Sequence, residues 1–125
     1  MEKHIIQKQS VTYPEVVYNM ASGALEITGK SIPENPESLF TRIMGWIDSH
    51  LWQNNTLRVL IFLEYLNSGS SKYLLDVFKQ LARHIDSGKD VDIKWQYEAD
   101  DISMLELGEH YRDTVGIPIK TEMIL

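Results

Sequence analysis

Residues 56–66 read TLRVLIFLEYL, a run that is apolar at all but three positions. Its valine, isoleucine, phenylalanine and tyrosine content favours a β-strand. A strand that is apolar on both of its alternating faces is typical of the interior of a parallel sheet, where helices cover the two sides. We therefore predict that this segment is the central strand of a sheet and is covered on both faces.

Helical patterns precede and follow this strand in the chain. Asn35 and Pro36 form a typical helix start, because asparagine is a common N-cap and proline fits the first helical position. A second helix is predicted to begin near Ser70, and residues 100–116 predict a third, which opens with acidic residues. Apolar residues at helical spacing define the buried faces of the first two. They are Leu39, Ile43, Trp46, Ile47 and Leu51, then Leu74, Leu75, Phe78, Leu81, Ala82 and Ile85.

Alternating apolar and polar residues predict four further strands. Residues 11–20 and 23–31 are the arms of a hairpin, residues 91–98 have one apolar face, and Pro118 marks residues 117–125 as an edge strand. The predicted order is β-β-α-β-α-β-α-β. Because strands that alternate with helices need crossover connections, we predict an α/β fold with a mixed β-sheet and packed α-helices.

The composition argues against several classes of function. Eighteen acidic residues outnumber twelve basic ones, and this balance argues against nucleic-acid binding, which needs a basic surface. The absence of cysteine excludes disulfides and thiolate-bound zinc, and the four histidines share no ligand spacing, so we expect no metal and no cofactor. No nucleophile has a neighbouring base, so we expect no catalytic residue.

Length and hydropathy set the expected organisation and location. A chain of 125 residues is predicted to form a single domain, residues 1–125. No segment has the roughly 18 apolar residues of a membrane span, and the first residues lack the apolar core of a signal peptide. We therefore expect a cytoplasmic protein with no membrane partner.

The segment NSGSSK, residues 67–72, connects the predicted central strand to the second helix. Sites in α/β sheets are usually built from loops at the carboxyl ends of strands, and this segment lies at such an end. Two interpretations fit its polar residues. In the first, Asn67, Ser68 or Ser70 caps the helix by accepting a backbone hydrogen bond. In the second, a serine accepts a phosphate, which the helix N-terminus and Lys72 would stabilise.

The segment PEN, which precedes the first helix, also has two interpretations. Asn35 followed by Pro36 is sufficient as a helix start. Alternatively, Pro33, Glu34 and Asn35 form a second loop of a functional site, which would lie beside residue 68 if both loops leave the same edge of the sheet.

Three segments of the chain together resemble the SiaC family of bacterial regulatory phosphoproteins. They are GALEITGKSIPENPESLFTRIMGWI, LEYLNSGSSK and IKWQYEADD. The combination of PEN with YLN-x-x-x-x-K at this separation is more specific than either motif alone. The resemblance covers most of the chain and implies a STAS-like fold, similar to that of anti-sigma factor antagonists.

The resemblance also implies a modification site. The threonine that the family phosphorylates after LN falls on Ser68, with Ser70 as the competing hydroxyl. Asn67, Ser70 and Lys72 match the family's pattern, whereas Ser68 and Gly69 depart from it. The surrounding loops are then expected to bind partners. Their residues are Pro33, Glu34, Asn35, Asn67, Gly69, Ser70, Ser71 and Lys72.

By the same resemblance, the chain is a non-enzymatic partner-switching protein. A Ser/Thr kinase phosphorylates it, a PP2C-type phosphatase removes the phosphate, and the unmodified form binds and activates a diguanylate cyclase. The alternative prediction is an anion-binding or small-molecule-binding domain, or a small enzyme. In that alternative, residues 68–71 grip an anion through their hydroxyls and the helix N–H groups.

Overall fold

A computed structural model of the chain describes residues 2–125. Its strands are β1 (Lys3–Gln7), β2 (Glu15–Asn19), β3 (Ala24–Ser31), β4 (Thr56–Leu66), β5 (Asp90–Glu98) and β6 (Ile119–Ile124). Its helices are α1 (Pro36–Gln53), α2 (Ser68–Asp86) and α3 (Ile102–Val115). Within the described range, none of the helices combines the length and the apolar character needed to cross a membrane.

The six strands form one sheet in the order β1-β2-β3-β4-β5-β6, with an antiparallel half and a parallel half. β1, β2 and β3 pair antiparallel, whereas β3, β4, β5 and β6 pair parallel. Each parallel pair is joined by one helix, and every crossover moves to the next strand in the same direction. Because such crossovers are right-handed, the three helices lie on one face of the sheet. The predicted α/β fold with a mixed sheet is confirmed.

The core fills the space between the sheet and the three helices. On β4, the side chains of Leu57, Val59, Ile61 and Leu63 point into this space and are at most 2% exposed. Burial of each such side chain contributes roughly 1.5–3 kcal/mol. The strand predicted to be central is therefore a main source of the stability of the core.

The packing of α3 on β5 depends on Trp95, which is fully buried. Its Nε1 donates a hydrogen bond to the Met104 carbonyl oxygen at 2.9 Å. Gly108 of α3 lies against the indole ring, and a Cβ at this position would be 2.5 Å from Trp95 Cδ1. A residue without a side chain is therefore needed for α3 to approach the sheet this closely.

The prediction that both faces of β4 are covered is wrong. Residues on the face away from the helices are either exposed, as Arg58 and Glu64 are, or half-buried, as Leu60 and Phe62 are. The physical reason is the shared direction of the crossovers, which places every described helix on one side. Composition along one strand does not contain that information.

The predicted element order lacked one strand, β1. Residues Lys3–Gln7 pair antiparallel with β2 and extend the sheet by one strand at its antiparallel end. The segment KHIIQ is only five residues long and places its two isoleucines next to each other, so it carries no alternating pattern of apolar and polar residues. The remaining elements follow the predicted order, and β6, which follows Pro118, is an edge strand as predicted.

Candidate functional site

Two loops meet at the carboxyl edge of the parallel half of the sheet. β3 and β4 are parallel neighbours, and Ser31 at the end of β3 pairs with Leu66 at the end of β4. The segments that follow these strands therefore leave the same edge side by side. One is the PEN segment before α1, and the other is residue 67, directly before α2. The sequence left this adjacency open, and the structure shows it.

Asn67 joins the two loops with its backbone and its side chain. Its backbone N–H donates to the Ser31 carbonyl oxygen at 3.0 Å. Its Nδ2 donates to the Pro33 carbonyl oxygen at 2.9 Å. Its Oδ1 accepts a hydrogen bond from the Ser70 backbone N–H at 2.8 Å. Of the three residues predicted as possible caps of this helix, Asn67 is therefore the one that caps α2, and the helix begins at Ser68 rather than near Ser70.

Gly69 allows the first turn of α2 to pack on the first turn of α1. A Cβ at residue 69 would lie 2.9 Å from Pro36 Cγ. Contacts that short essentially never occur between real carbon atoms, so any larger residue here would push the two helix starts apart. The glycine that departs from the family pattern thus has a steric role in this chain.

The three serines of the loop have different surroundings. Ser70 is fully buried, and its Oγ lies 2.8 Å from Oγ of Ser31, which is also fully buried. Ser71 Oγ lies 2.9 Å from the Tyr111 hydroxyl oxygen. Ser68, by contrast, is exposed. Of the two hydroxyls proposed as phosphate acceptors, only that of Ser68 is therefore on an exposed residue.

Tyr111 fixes the first turn of α2 from the side of α3. Its hydroxyl donates to the Ser71 carbonyl oxygen at 2.7 Å, so the Ser71 hydroxyl donates to Tyr111 in return. Burial raises the pKa of the Tyr111 hydroxyl above its usual value of 10.0, and the hydrogen bond with Ser71 opposes this shift only in part. The phenol therefore stays protonated at neutral pH and remains a donor.

The electrostatic setting of Ser68 favours a negative charge. Both α1 and α2 begin at this edge, and unpaired N–H groups give each helix start a positive partial charge. The first turn of α2 contains no acidic residue. Lys72 is exposed and follows Ser68 by four residues, a spacing that places both side chains on the same side of the helix.

The PEN loop is anchored at one residue and exposed at the next two. Pro33 is buried, whereas Glu34 and Asn35 are exposed. Asn35 occupies the N-cap position of α1, as predicted, but its side chain makes no capping hydrogen bond. The structure therefore brings an exposed carboxylate and an exposed amide onto the edge that carries Ser68.

Two residues of this region were not predicted from the sequence, Ser31 and Tyr111. Ser31 is a polar residue at the end of a strand, and its partner Ser70 lies 39 positions away. Tyr111 lies 40 positions from Ser71, within an ordinary helical pattern. Neither contact leaves a local signal in the sequence.

Features suited to small ligands lie elsewhere or do not form. A cavity of about 630 Å³ lies on the helix-free face of the sheet, with Glu26, Arg58 and Lys94 in its lining, and residues 67–72 do not line it. Within residues 2–125, no three histidine or acidic side chains converge in a metal-binding arrangement. Because Ser70 and Ser71 direct their hydroxyls to Ser31 and Tyr111, this geometry does not favour an anion held by several serines.

Comparison with known proteins identifies relatives over nearly the full chain. The model of a family described as SiaC family regulatory phosphoprotein matches residues 6–124. An uncharacterized protein of Pseudomonas aeruginosa (strain UCBPP-PA14) is 29% identical over 116 residues, which are 92% of this chain and 90% of that protein.

Solved structures show the same fold. SiaC of Pseudomonas aeruginosa superposes with a TM-score of 0.86 at 25% identity, covering 99% of this chain and 100% of that one. A chain from the crystal structure of the diguanylate cyclase SiaD in complex with its activator SiaC, from the same organism, gives a TM-score of 0.85 at 26% identity. That match covers 93% of this chain and 96% of the other.

Proposed function

Because this chain belongs to the SiaC family of regulatory phosphoproteins, we propose that it is switched by reversible phosphorylation of Ser68. In this proposal a Ser/Thr kinase adds the phosphate and a PP2C-type phosphatase removes it. The unmodified form binds and activates a diguanylate cyclase. In this proposal the chain acts by binding its partners, and Ser68 is a substrate of the kinase.

The observation that carries the proposal is the contrast between Ser68 and its neighbours. A kinase must bring the γ-phosphate of ATP into line with the acceptor oxygen, and this requires a hydroxyl that solvent can reach. Ser68 is exposed, whereas Ser70 is fully buried and paired with Ser31. The contrast supports Ser68 over Ser70 as the acceptor.

The energetics of a phosphate at Ser68 fit a switch that changes binding more than folding. A phosphate adds about −1.5 to −2 charges at neutral pH. At a helix N-terminus such a charge is stabilised by about 0.3–1 kcal/mol. A partner packed over Ser68 would have to desolvate the same charge, at a cost of several kcal/mol unless it supplies a cation. Since about 1.4 kcal/mol is tenfold in affinity, partner binding should fall at least tenfold.

The cyclase part of the proposal is supported by fold similarity. The structure of diguanylate cyclase SiaD with its activator SiaC contains a chain of the same fold as this protein. The exposed residues Glu34, Asn35, Ser68 and Lys72 are grouped at one edge of this chain, where a partner could contact them together. We assign this edge to partner binding.

Mass spectrometry tests the acceptor. Trypsin cleaves after Arg58 and Lys72 and releases residues 59–72 as one peptide that contains Ser68, Ser70 and Ser71. In protein isolated from its native cells with phosphatase inhibitors, or treated with its kinase and ATP, fragmentation of this peptide should place the phosphate on Ser68. Ser68→Ala should abolish it. If no residue of this peptide carries a phosphate, the proposal is falsified.

A binding measurement tests the output. Unmodified, phosphorylated and Ser68→Asp protein are titrated against the diguanylate cyclase of the native host, with cyclase activity measured in parallel. The unmodified protein should bind and activate, and the other two should bind at least tenfold more weakly. Ser103→Asp is the matched control, because Ser103 is an exposed serine in the first turn of α3. Equal weakening by both aspartates would show a general charge effect and contradict the proposal.

A further inference from the structure

We infer that Asn67 is a positioning residue that holds Glu34 in place beside Ser68, so that the kinase binds the two loops together as one surface. The inference rests on the proposed function, since it concerns recognition of the same acceptor. It assigns a role to an amide that hydrogen-bonds to both loops.

The first step is that the Asn67 side chain uses both of its polar atoms on different elements. Oδ1 accepts from the Ser70 backbone N–H at 2.8 Å and so caps α2, which carries Ser68. Nδ2 donates to the Pro33 carbonyl oxygen at 2.9 Å, in the residue directly before Glu34. One planar amide therefore hydrogen-bonds both to the helix that carries Ser68 and to the PEN loop.

The second step is that the PEN loop is held by its two prolines, with Pro33 buried and Pro36 against Gly69, while the residues between them are exposed. Asn35 makes no side-chain cap with its own helix, and Glu34 and Asn35 are exposed. On the other side, the Ile32 N–H donates to the Thr12 carbonyl oxygen at 2.9 Å. The bond from Asn67 is therefore a direct hydrogen bond between the residue before Glu34 and the residue before Ser68.

Chemistry separates the two roles of this amide. A carboxylate accepts hydrogen bonds but cannot donate them, so Asn67→Asp keeps the cap on Ser70 N–H and loses the bond to the Pro33 oxygen. Aspartate is also a good N-cap. Helix α2 and its acceptor should remain in place while the PEN loop is released.

Asn19→Asp is the matched control for this substitution. Asn19 Oδ1 accepts from the Ala21 and Ser22 N–H groups at 3.1 and 3.4 Å, in the turn between β2 and β3. The same chemical change there adds the same charge and keeps the acceptor role. Asn19 lies at the edge of the sheet opposite to Ser68, because it pairs with Ala24 at the start of β3.

The test is a double-mutant cycle in the kinase reaction, with full-length protein, ATP and the kinase enriched from native cells by its activity on this chain. Asn67→Asp should raise KM for the protein substrate about 3- to 10-fold with little change in kcat, which corresponds to the loss of one hydrogen bond. Glu34→Gln should raise KM by a similar factor. In the Asn67→Asp background, Glu34→Gln should change KM by less than twofold, because the released carboxylate is no longer in position.

Two results would overturn the inference alone. One is a KM for Asn67→Asp equal to that of Asn19→Asp. The other is that the increases in KM caused by Glu34→Gln and by Asn67→Asp multiply in the double variant. Such independent effects would mean that neither residue positions the other. The absence of phosphate on the unaltered protein is a different result, which removes the proposed function together with the inference.

Discussion

The two ends of α2 are held by different kinds of chemistry. At its start, neutral groups make the contacts: the Asn67 amide and the paired hydroxyls of Ser31 and Ser70. In its second half, Gln80 and His84 both donate to Asp48 Oδ1 of α1, at 2.8 and 2.7 Å. None of these contacts at the first end involves a charged group. The second end contains the Asp48 carboxyl group, whose pKa is lowered by its hydrogen bonds.

This difference shows how one helix can present an exposed hydroxyl at its start while its other contacts hold it in place. The start of α2 contributes a single exposed hydroxyl to solvent, while the hydroxyls beside it are committed to the fold. A new charge at Ser68 therefore meets water and a helix terminus, whereas a new charge two residues later would meet the core. Substitutions can test this difference between the exposed position 68 and the buried position 70.

The largest expected effect is that of a charge placed at the buried position 70. Ser70→Asp buries a carboxylate without a cation and should lower the free energy of unfolding by about 3–5 kcal/mol. Ser68→Asp should change it by less than about 1 kcal/mol, because the residue is exposed at a helix start. Urea denaturation followed by circular dichroism measures both. Equal stabilities of the two variants would contradict the difference in burial between positions 68 and 70.

A smaller effect is expected when the buried hydroxyl pair is broken. Ser31→Ala leaves the Ser70 hydroxyl without its partner and should cost about 1–3 kcal/mol of unfolding free energy. Adding Ser70→Ala removes the orphaned group, so the double variant should be destabilised by less than the sum of the two single variants. Chemical denaturation of all four proteins gives the coupling. Simple additivity would mean that the two hydroxyls act independently.

The smallest effect is expected at the titratable end of α2. Burial alone would raise the pKa of Asp48, but the hydrogen bonds from His84 and Gln80 outweigh it and lower the pKa below its usual 3.8. A carboxyl group whose pKa is lowered on folding stabilises the protein above its unfolded pKa, and this contribution is lost as the pH falls through the folded value. Because Asp48 is 65% exposed, we expect less than about 1 kcal/mol.

The measurement for this prediction is the unfolding free energy between neutral pH and pH 2.5. The Asp48→Asn protein should lose less stability than the unaltered protein as the pH falls below about 3.8. Asp113→Asn, on the exposed side of α3, is the control. If Asp48→Asn and Asp113→Asn follow the same pH curve, Asp48 has no special role in joining α1 and α2.

What the sequence predicts of this fold is mainly what local chemistry decides. The start of α1 at Pro36 depends on neighbouring residues and was predicted, and Asn67 was one of the three residues predicted as possible caps of α2. The number of helices on each face of the sheet depends on the direction of the crossovers, so the coverage of β4 was predicted wrongly. β1 is too short and too polar at its start to show a period.

The candidate site divides in the same way. Ser68, its loop and the PEN segment were identified from motifs in the chain, and their adjacency follows once β3 and β4 are known to be parallel neighbours. The partners Ser31 and Tyr111 could not be identified, because each contacts the loop across about forty residues. Which serine is accessible is therefore a property of the tertiary structure.

The exposure of Ser68 beside a buried Ser70 also has an evolutionary consequence. Position 68 is exposed and contributes little packing to the fold, so serine and threonine can replace one another there with little effect on the core. Position 70 has no such freedom, because its side chain must fit the space beside Ser31 and form a hydrogen bond with the Ser31 hydroxyl. The exposed hydroxyl can thus change while the scaffold that presents it stays fixed.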